Sequence, residues 1–143
     1  MYRRILLAYD GSAQGQQALL DCNEIAQWSR SELTLIAVMP RSTVGLEGRV
    51  YNETLQEREK DRYLTTLYSG VRKLTDAGLS ARGELVTGEP VSEITSCAGR
   101  IKANLIVVGH KHMEGWATRW WRGSVSKALI EHAPCSVLVV ITH

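Results

Sequence analysis

The chain is poor in proline and cysteine, with three of each in 143 residues, and has no long apolar run. Cys22, Cys97 and Cys135 are odd in number and lack C-x-x-C spacing. That excludes a complete disulfide framework and a zinc ribbon. Each lies in an apolar stretch, where a free buried thiol in a reducing compartment is expected; a reactive thiol needs exposure and basic neighbours. The first apolar run, Ile5 to Tyr9, meets Asp10 too early for a signal peptide, and no later run approaches a bilayer span. Excess charge is also missing. Seventeen Lys and Arg against 15 Asp and Glu leave +2, and only residues 119–122 cluster basic groups. That argues against an electrostatic nucleic-acid binder or a membrane partner. What is present, 44% hydrophobic residues, is too apolar for disorder. A cytoplasmic protein is expected, with residues 1–143 forming one domain.

Apolar runs alternate with helical patterns. Ile5–Tyr9 reads as a strand, followed by Asp10-Gly11-Ser12, where Ser12 suits the cap of a helix burying Ala18, Cys22, Ile25 and Ala26. Leu33–Val38 is a second strand ended by Pro40, and residues 39–51 read as a loop. A long helix from about Asn52 carries the stripe Leu64, Leu67, Val71 and Leu74, with Gly78 as its stop. Ala81–Thr87 is a third strand, and Pro90 suits the first position of a helix burying Val91, Ile94, Cys97, Ala98 and Ile101. Leu105–Val108 is a fourth strand, apolar enough to be covered on both faces. A loop from Gly109 to Gly123, a helix from Ser124 to His132 stopped by Pro134, and a strand from Ser136 to Ile141 complete the chain. Such alternation predicts an α/β fold: a parallel sheet with helices on both faces, and ligands at the carboxyl ends of its strands.

Several chemistries fail for want of residues. There is no G-x-x-x-x-G-K-[ST], no G-x-G-x-x-G after the first strand and no G-x-S-x-G. Phospho-acceptor chemistry of the receiver type needs an aspartate ending the third strand and a lysine after the fifth. Thr87-Gly88 and Thr142-His143 stand there.

The stretch GHKHMEGWATRWWRGSVS at 109–126 carries the strongest signal. Gly123-Ser124-Val125-Ser126 opens a helix, whose free N–H groups and hydroxyls suit a phosphate; the same residues also serve as a plain cap. Lys111, Arg119 and Arg122 are available to neutralise phosphate charge, and His112 to donate a hydrogen bond to an anion. Trp116 and Trp120, four apart, read better as packing or interface residues than as base-stacking ones. His110 and His112 lack partners at metal-ligand spacing. Asp10 has two readings: it accepts ribose hydroxyls or helps hold magnesium on phosphates, or it closes the following turn through an Asx bond.

These pieces together resemble the universal stress protein family. The matching segments are ILLAYDGS at 5–12, LTLIAV at 33–38, TGEPVSEI at 87–94, NLIVVGH at 104–110 and GSVSKALIEHAPCSVLVV at 123–140. The resemblance implies an adenine-nucleotide alpha-hydrolase-like sheet of five parallel strands in the order 3-2-1-4-5. It also implies a homodimer through the last strand, 136–141, and a stress-response role without a catalytic reaction, with at most weak ATP hydrolysis. Many members bind ATP through G-x2-G-x9-G-[ST]. By position, Ala8 and Tyr9 would line the adenine and ribose, with Asp10 ending the first strand. Val38 would read the adenine edge through its backbone, Val108 and Gly109 would flank the nucleotide, and Gly123, Ser124 and Val125 would hold phosphates. Two features depart from that signature: His112 replaces the second glycine, and ten residues separate it from Gly123. An adenine nucleotide used as a sensory ligand is the first expectation. The alternative is an interaction protein of the same fold whose 109–123 loop meets a partner.

Overall fold

A computed structural model describes residues 2–41, 53–111 and 125–142. The elements are β1 (Arg4–Ala8), α1 (Ala13–Ser29), β2 (Glu32–Met39), α2 (Glu53–Asp76), β3 (Ser80–Thr87), α3 (Pro90–Ile101) and β4 (Leu105–Lys111). A further helix, α4, has its described part at 125–132 and leads into β5 (Ser136–Thr142). The five strands form one sheet in the order β3-β2-β1-β4-β5, and every neighbouring pair is parallel. Both the order and the element types are those expected.

Strand alternation divides the core into two layers. Ile5, Leu7, Leu33, Leu35 and Val107 face α1 and α2, meeting Ala18, Cys22, Leu67 and Leu74. Leu6, Ile36, Ile106 and Val108 face α3 and α4, meeting Ile94, Cys97, Ala98 and Leu129. Each such large side chain contributes about 1.5–3 kcal/mol by leaving water. Leu64, Val71, Ile25, Val91 and Ile101 are half-buried rather than buried, because they lie at the flanks of their helix stripes. Cys22 and Cys97 are buried free thiols. Burial pushes the Cys22 thiol up to about 12, with the Asp21 charge adding to it. Burial, then the Glu84 carboxylate, pushes Cys97 up to about 11. Cys135 departs from expectation: it is half-buried, just before the edge strand β5.

Helix ends follow local chemistry. Ser12 caps α1, its hydroxyl accepting from the Gly15 N–H at 3.1 Å. Gly78 adopts φ +86° after α2, a conformation that favours glycine. Pro90 opens α3 as expected, but its cap is Glu89, which the sequence reading did not single out. The Glu89 carboxylate accepts from Ser92 N–H at 2.8 Å and Val91 N–H at 3.1 Å. Four strands run longer than expected, β3 and β5 by one residue each. Met39 continues β2, and Gly109, His110 and Lys111 belong to β4 rather than to a loop. The extension of β4 exists because β5 stays alongside it, pairing Gly109 with Val140, His110 with Ile141 and Lys111 with Thr142.

The Ser92 and Val91 hydrogen bonds hold the Glu89 carboxyl below the usual glutamate range. A depressed carboxylate stabilises the fold above its unfolded-state value and loses that contribution as pH falls through the folded one. Glu89→Ala is therefore expected to lower stability by about 1 kcal/mol at pH 7, and urea titrations at pH 7 and pH 3 should show the gap shrinking in acid. A gap that stays constant would assign the loss to something other than the charged cap.

Candidate functional site

The site begins with a difference in strand length. β1 pairs with β4 only from Ile5 to Leu7. Its ladder with β2 ends at Ala8 opposite Ile36, and the Tyr9 N–H to the Ile36 carbonyl, 3.0 Å, is the last rung. β2 continues to Met39 beside β3, and β4 to Lys111 beside β5. A notch is left over the end of β1, at the switch point where the chain departs to opposite sides of the sheet. It forms a cleft of about 480 Å³, within the range of small-ligand sites.

Three sides of the cleft differ in chemistry. Toward β2 and α3 it is apolar, lined by Ile36, Val38, Pro90 and Ile94. Over β1 it carries Ala8, Tyr9, Asp10 and Ser12, with Gln14 and Gly15 from the first turn of α1. Toward β4 and α4 it is lined by Val108, Gly109, His110, Val125 and Ser126. The order apolar, carboxylate, neutral polar thus follows the strand order β2-β1-β4.

Val38 presents backbone as well as side chain. In a parallel ladder successive residues aim their N–H and C=O at alternate neighbours. The Met39 carbonyl accepts from Gly88 N–H on the β3 side, and that of Ile36 accepts from Tyr9 on the β1 side. Val38 therefore aims its N–H and C=O at the β1 side, beyond the last rung, into the notch. Asp10 is held by its turn: Oδ1 accepts from the Ser12 N–H at 2.9 Å and the Ser12 hydroxyl at 2.5 Å. The Asx reading of Asp10 is thus present in the structure, and it leaves the carboxylate exposed at the cleft.

Of the residues named from sequence, Ala8, Tyr9, Asp10, Val38, Val108, Gly109 and Val125 come together around this cleft. His112, Gly123 and Ser124 lie outside the described residues, as do Trp116, Trp120, Arg119 and Arg122. Tyr9 is only 4% exposed. Its ring packs where a Cβ on Gly70 would stand 2.6 Å from it, so α2 lies close against it. Burial, then the Asp10 charge, raises the Tyr9 hydroxyl above its ordinary value. Ser12, Gln14, Gly15, Ile36, Pro90 and Ile94 were not identified as site residues. Only the strand order brings the start of α3 beside the end of β2. Gly15 did carry a signal, a glycine in the first turn of a helix: a Cβ there would lie 3.0 Å from Asp10 Oδ1.

Gly109 sets the cleft's floor. A Cβ built on it would lie 2.3 Å from the Gln14 carbonyl oxygen, so the absence of a side chain lets β4 approach the α1 turn that carries Asp10. Gly109→Ala is expected to cost about 2 kcal/mol in urea unfolding by pushing that turn outward. A loss no larger than that of an exposed surface substitution would mean the turn yields freely.

Residues 1–140 match the universal stress protein family. A universal stress protein of Staphylococcus aureus strain USA300 is 33% identical over 144 residues, spanning 99% of this chain and 85% of that protein. A universal stress protein family structure from Burkholderia pseudomallei superposes with a TM-score of 0.76 at 26% identity, covering 97% of this chain and 96% of that one. A family protein of Arabidopsis thaliana, solved with AMP bound, superposes at 0.72 and 20% identity, covering 99% and 92%. The sheet is the adenine-nucleotide alpha-hydrolase-like one that such neighbours share. On the match over residues 1–140 and the Staphylococcus relative, this chain belongs to the universal stress protein family.

Proposed function

We propose that this chain is a stress-response protein that binds an adenine nucleotide, ATP, as a regulatory ligand in the β2-β1-β4 cleft. The observation that carries the reading is the backbone of Val38, a donor and an acceptor side by side at the apolar end with no partner on β1 among the described residues, matching the edge of an adenine. The AMP in the Arabidopsis structure supports the ligand class. Base, ribose and phosphate would follow the three chemistries in order. Ile36, Val38, Pro90 and Ile94 enclose the base, and Ala8 and Asp10 meet the ribose. The wall of Val108, Gly109 and Val125, together with His112, Gly123 and Ser124, receives the phosphates. Asp10 is the one carboxylate among the described lining residues, and magnesium, when bound, would neutralise phosphate charge with its help and that of water.

The ligand in this reading is sensed rather than turned over. Asp10 already accepts two hydrogen bonds from Ser12, both on Oδ1, which commits that oxygen to the turn rather than to a proton transfer. Nucleotide shifts the population of cleft conformations and so the surface shown to partners. Residues 1–143 act as one cytoplasmic domain in this reading, without nucleic-acid or membrane partners; no described helix is long and apolar enough to cross a membrane. A second copy covers β5, whose sequence SVLVVIT has no charge or proline to protect an open edge. His112 in place of the second glycine favours the second reading, an interaction protein whose 109–123 loop fills the site and meets a partner.

Calorimetry with ATP and magnesium tests the ligand. Binding is expected, weakened about tenfold by Asp10→Asn, which keeps an acceptor for Ser12 while removing the charge, and abolished by Gly123→Val. Absence of heat up to millimolar ATP, with no nucleotide released on denaturation, would favour the second reading. Light scattering tests the assembly. Ile141 is 56% exposed on β5, and Ile141→Lys is expected to halve the mass without unfolding the chain. A monomeric wild type, or a variant that keeps the wild-type mass, would refute pairing through β5.

A further inference from the structure

We infer that a stripe along the exposed side of α2 is a self-association surface, on which another copy of this chain docks with its own α2 antiparallel. The inference depends neither on the nucleotide reading nor on pairing through β5.

Asp61, Leu64, Thr65, Tyr68, Ser69 and Arg72 line an open groove of about 720 Å³, and among the described residues α2 alone supplies it. Their spacing places them on one helix face in two rows, 61-65-69 and 64-68-72. α2 buries a different side: Leu67 and Val71 lie over Gly83 of β3, and Gly70 meets Tyr9 and Leu35. The stripe therefore points outward. Tyr68 is 56% exposed, and Leu64 is half-buried. Around them the exposed positions of α2 are mostly charged, among them Arg58, Lys60, Arg62 and Lys73. An uncharged centre with a charged rim is the anatomy of a protein interface.

Symmetry names the occupant. A two-fold axis midway along the stripe, between residues 66 and 67, exchanges Asp61 with Arg72, Leu64 with Ser69 and Thr65 with Tyr68. Every described lining residue thus has another as its mate, and the two charges, at the ends, are of opposite sign. That is the self-complementarity an isologous contact requires. In an antiparallel pair crossing at about 20°, Asp61 of each copy meets Arg72 of the other, and Tyr68 packs across Thr65. Asp61 has no ion pair among the described residues. Arg72 reaches Asp76 at 3.9 Å with both side chains mostly exposed, a pair worth little, so its guanidinium can turn to a partner. The Thr65 hydroxyl already donates to the Asp61 carbonyl at 2.8 Å, and covering it strands no donor. Six residues a side fall short of the roughly 20–30 of a stable interface, so this contact forms at high protein concentration. α2 lies over β3, one edge of the sheet, and β5 is the other edge. Contacts at both edges carry assembly past a dimer.

Sedimentation velocity on the Ile141→Lys chain, from about 10 μM to about 1 mM, reads this contact apart from β5 pairing. That chain is expected to dimerise as concentration rises. Asp61→Arg and Arg72→Asp, each added to it, set like charges face to face across the axis, and each is expected to weaken association about tenfold. An equimolar mixture of the two variants is expected to recover dimers, because each then meets opposite charges at both ends; a loss through misfolding would not recover. A chain that stays monomeric over the whole range overturns the inference, as do single variants that associate like their parent or a mixture that fails to pair. If Ile141→Lys keeps the wild-type mass, pairing through β5 fails, and the charge exchange still decides the α2 contact.

Discussion

β1 carries five residues between neighbours of eight and seven, because Asp10, Gly11 and Ser12 turn the chain into α1 immediately after Tyr9. A central strand that ends early exposes the edges of both its neighbours at one place. On the β2 side this frees the Val38 backbone. On the β4 side it leaves Val108, Gly109 and His110 without a β1 rung. The cleft is therefore a consequence of strand length, and its two ends are chemically different because one flank is covered by α3 and the other by α4.

The contacts around that gap keep it narrow. Gly109 admits the first turn of α1 against β4, and Gly15 admits the Asp10 carboxylate against the same turn. Gly70 performs a corresponding task in the same layer, letting α2 lie against Tyr9 and Leu35. Tyr9 thus shares in both cleft and core, and strain at the ligand site is transmitted directly to the packing of α2. Close-packed interiors carry such displacements rather than absorbing them.

The elements were legible because their signals are local: alternating apolar runs, Ser12 before α1, Gly78 after α2, Pro90 opening α3. What escaped was non-local. The extension of β4 through Lys111 depends on β5 continuing beside it, and a polar His110 reads as loop in a single sequence. The Glu89 cap escaped because glutamate is not among the preferred capping residues, although its longer side chain here reaches two N–H groups. The cleft residues nearest the chain's motifs, Asp10 and Gly109, were found by position. Pro90 and Ile94 could be identified as lining residues only once α3 was placed beside β2. Ser126 reads as a donor in a helix start; its burial is a property of packing that no pattern of residue types encodes.

The two enclosed sulfurs carry a chemical consequence. With burial pushing Cys22 up to about 12 and Cys97 to about 11, both thiols stay protonated at neutral pH. Peroxides and disulfides react with the thiolate, so both positions are close to inert toward oxidants while the fold is intact. A member of a stress-response family built this way keeps its own core out of redox chemistry, and oxidation at these sulfurs would report unfolding.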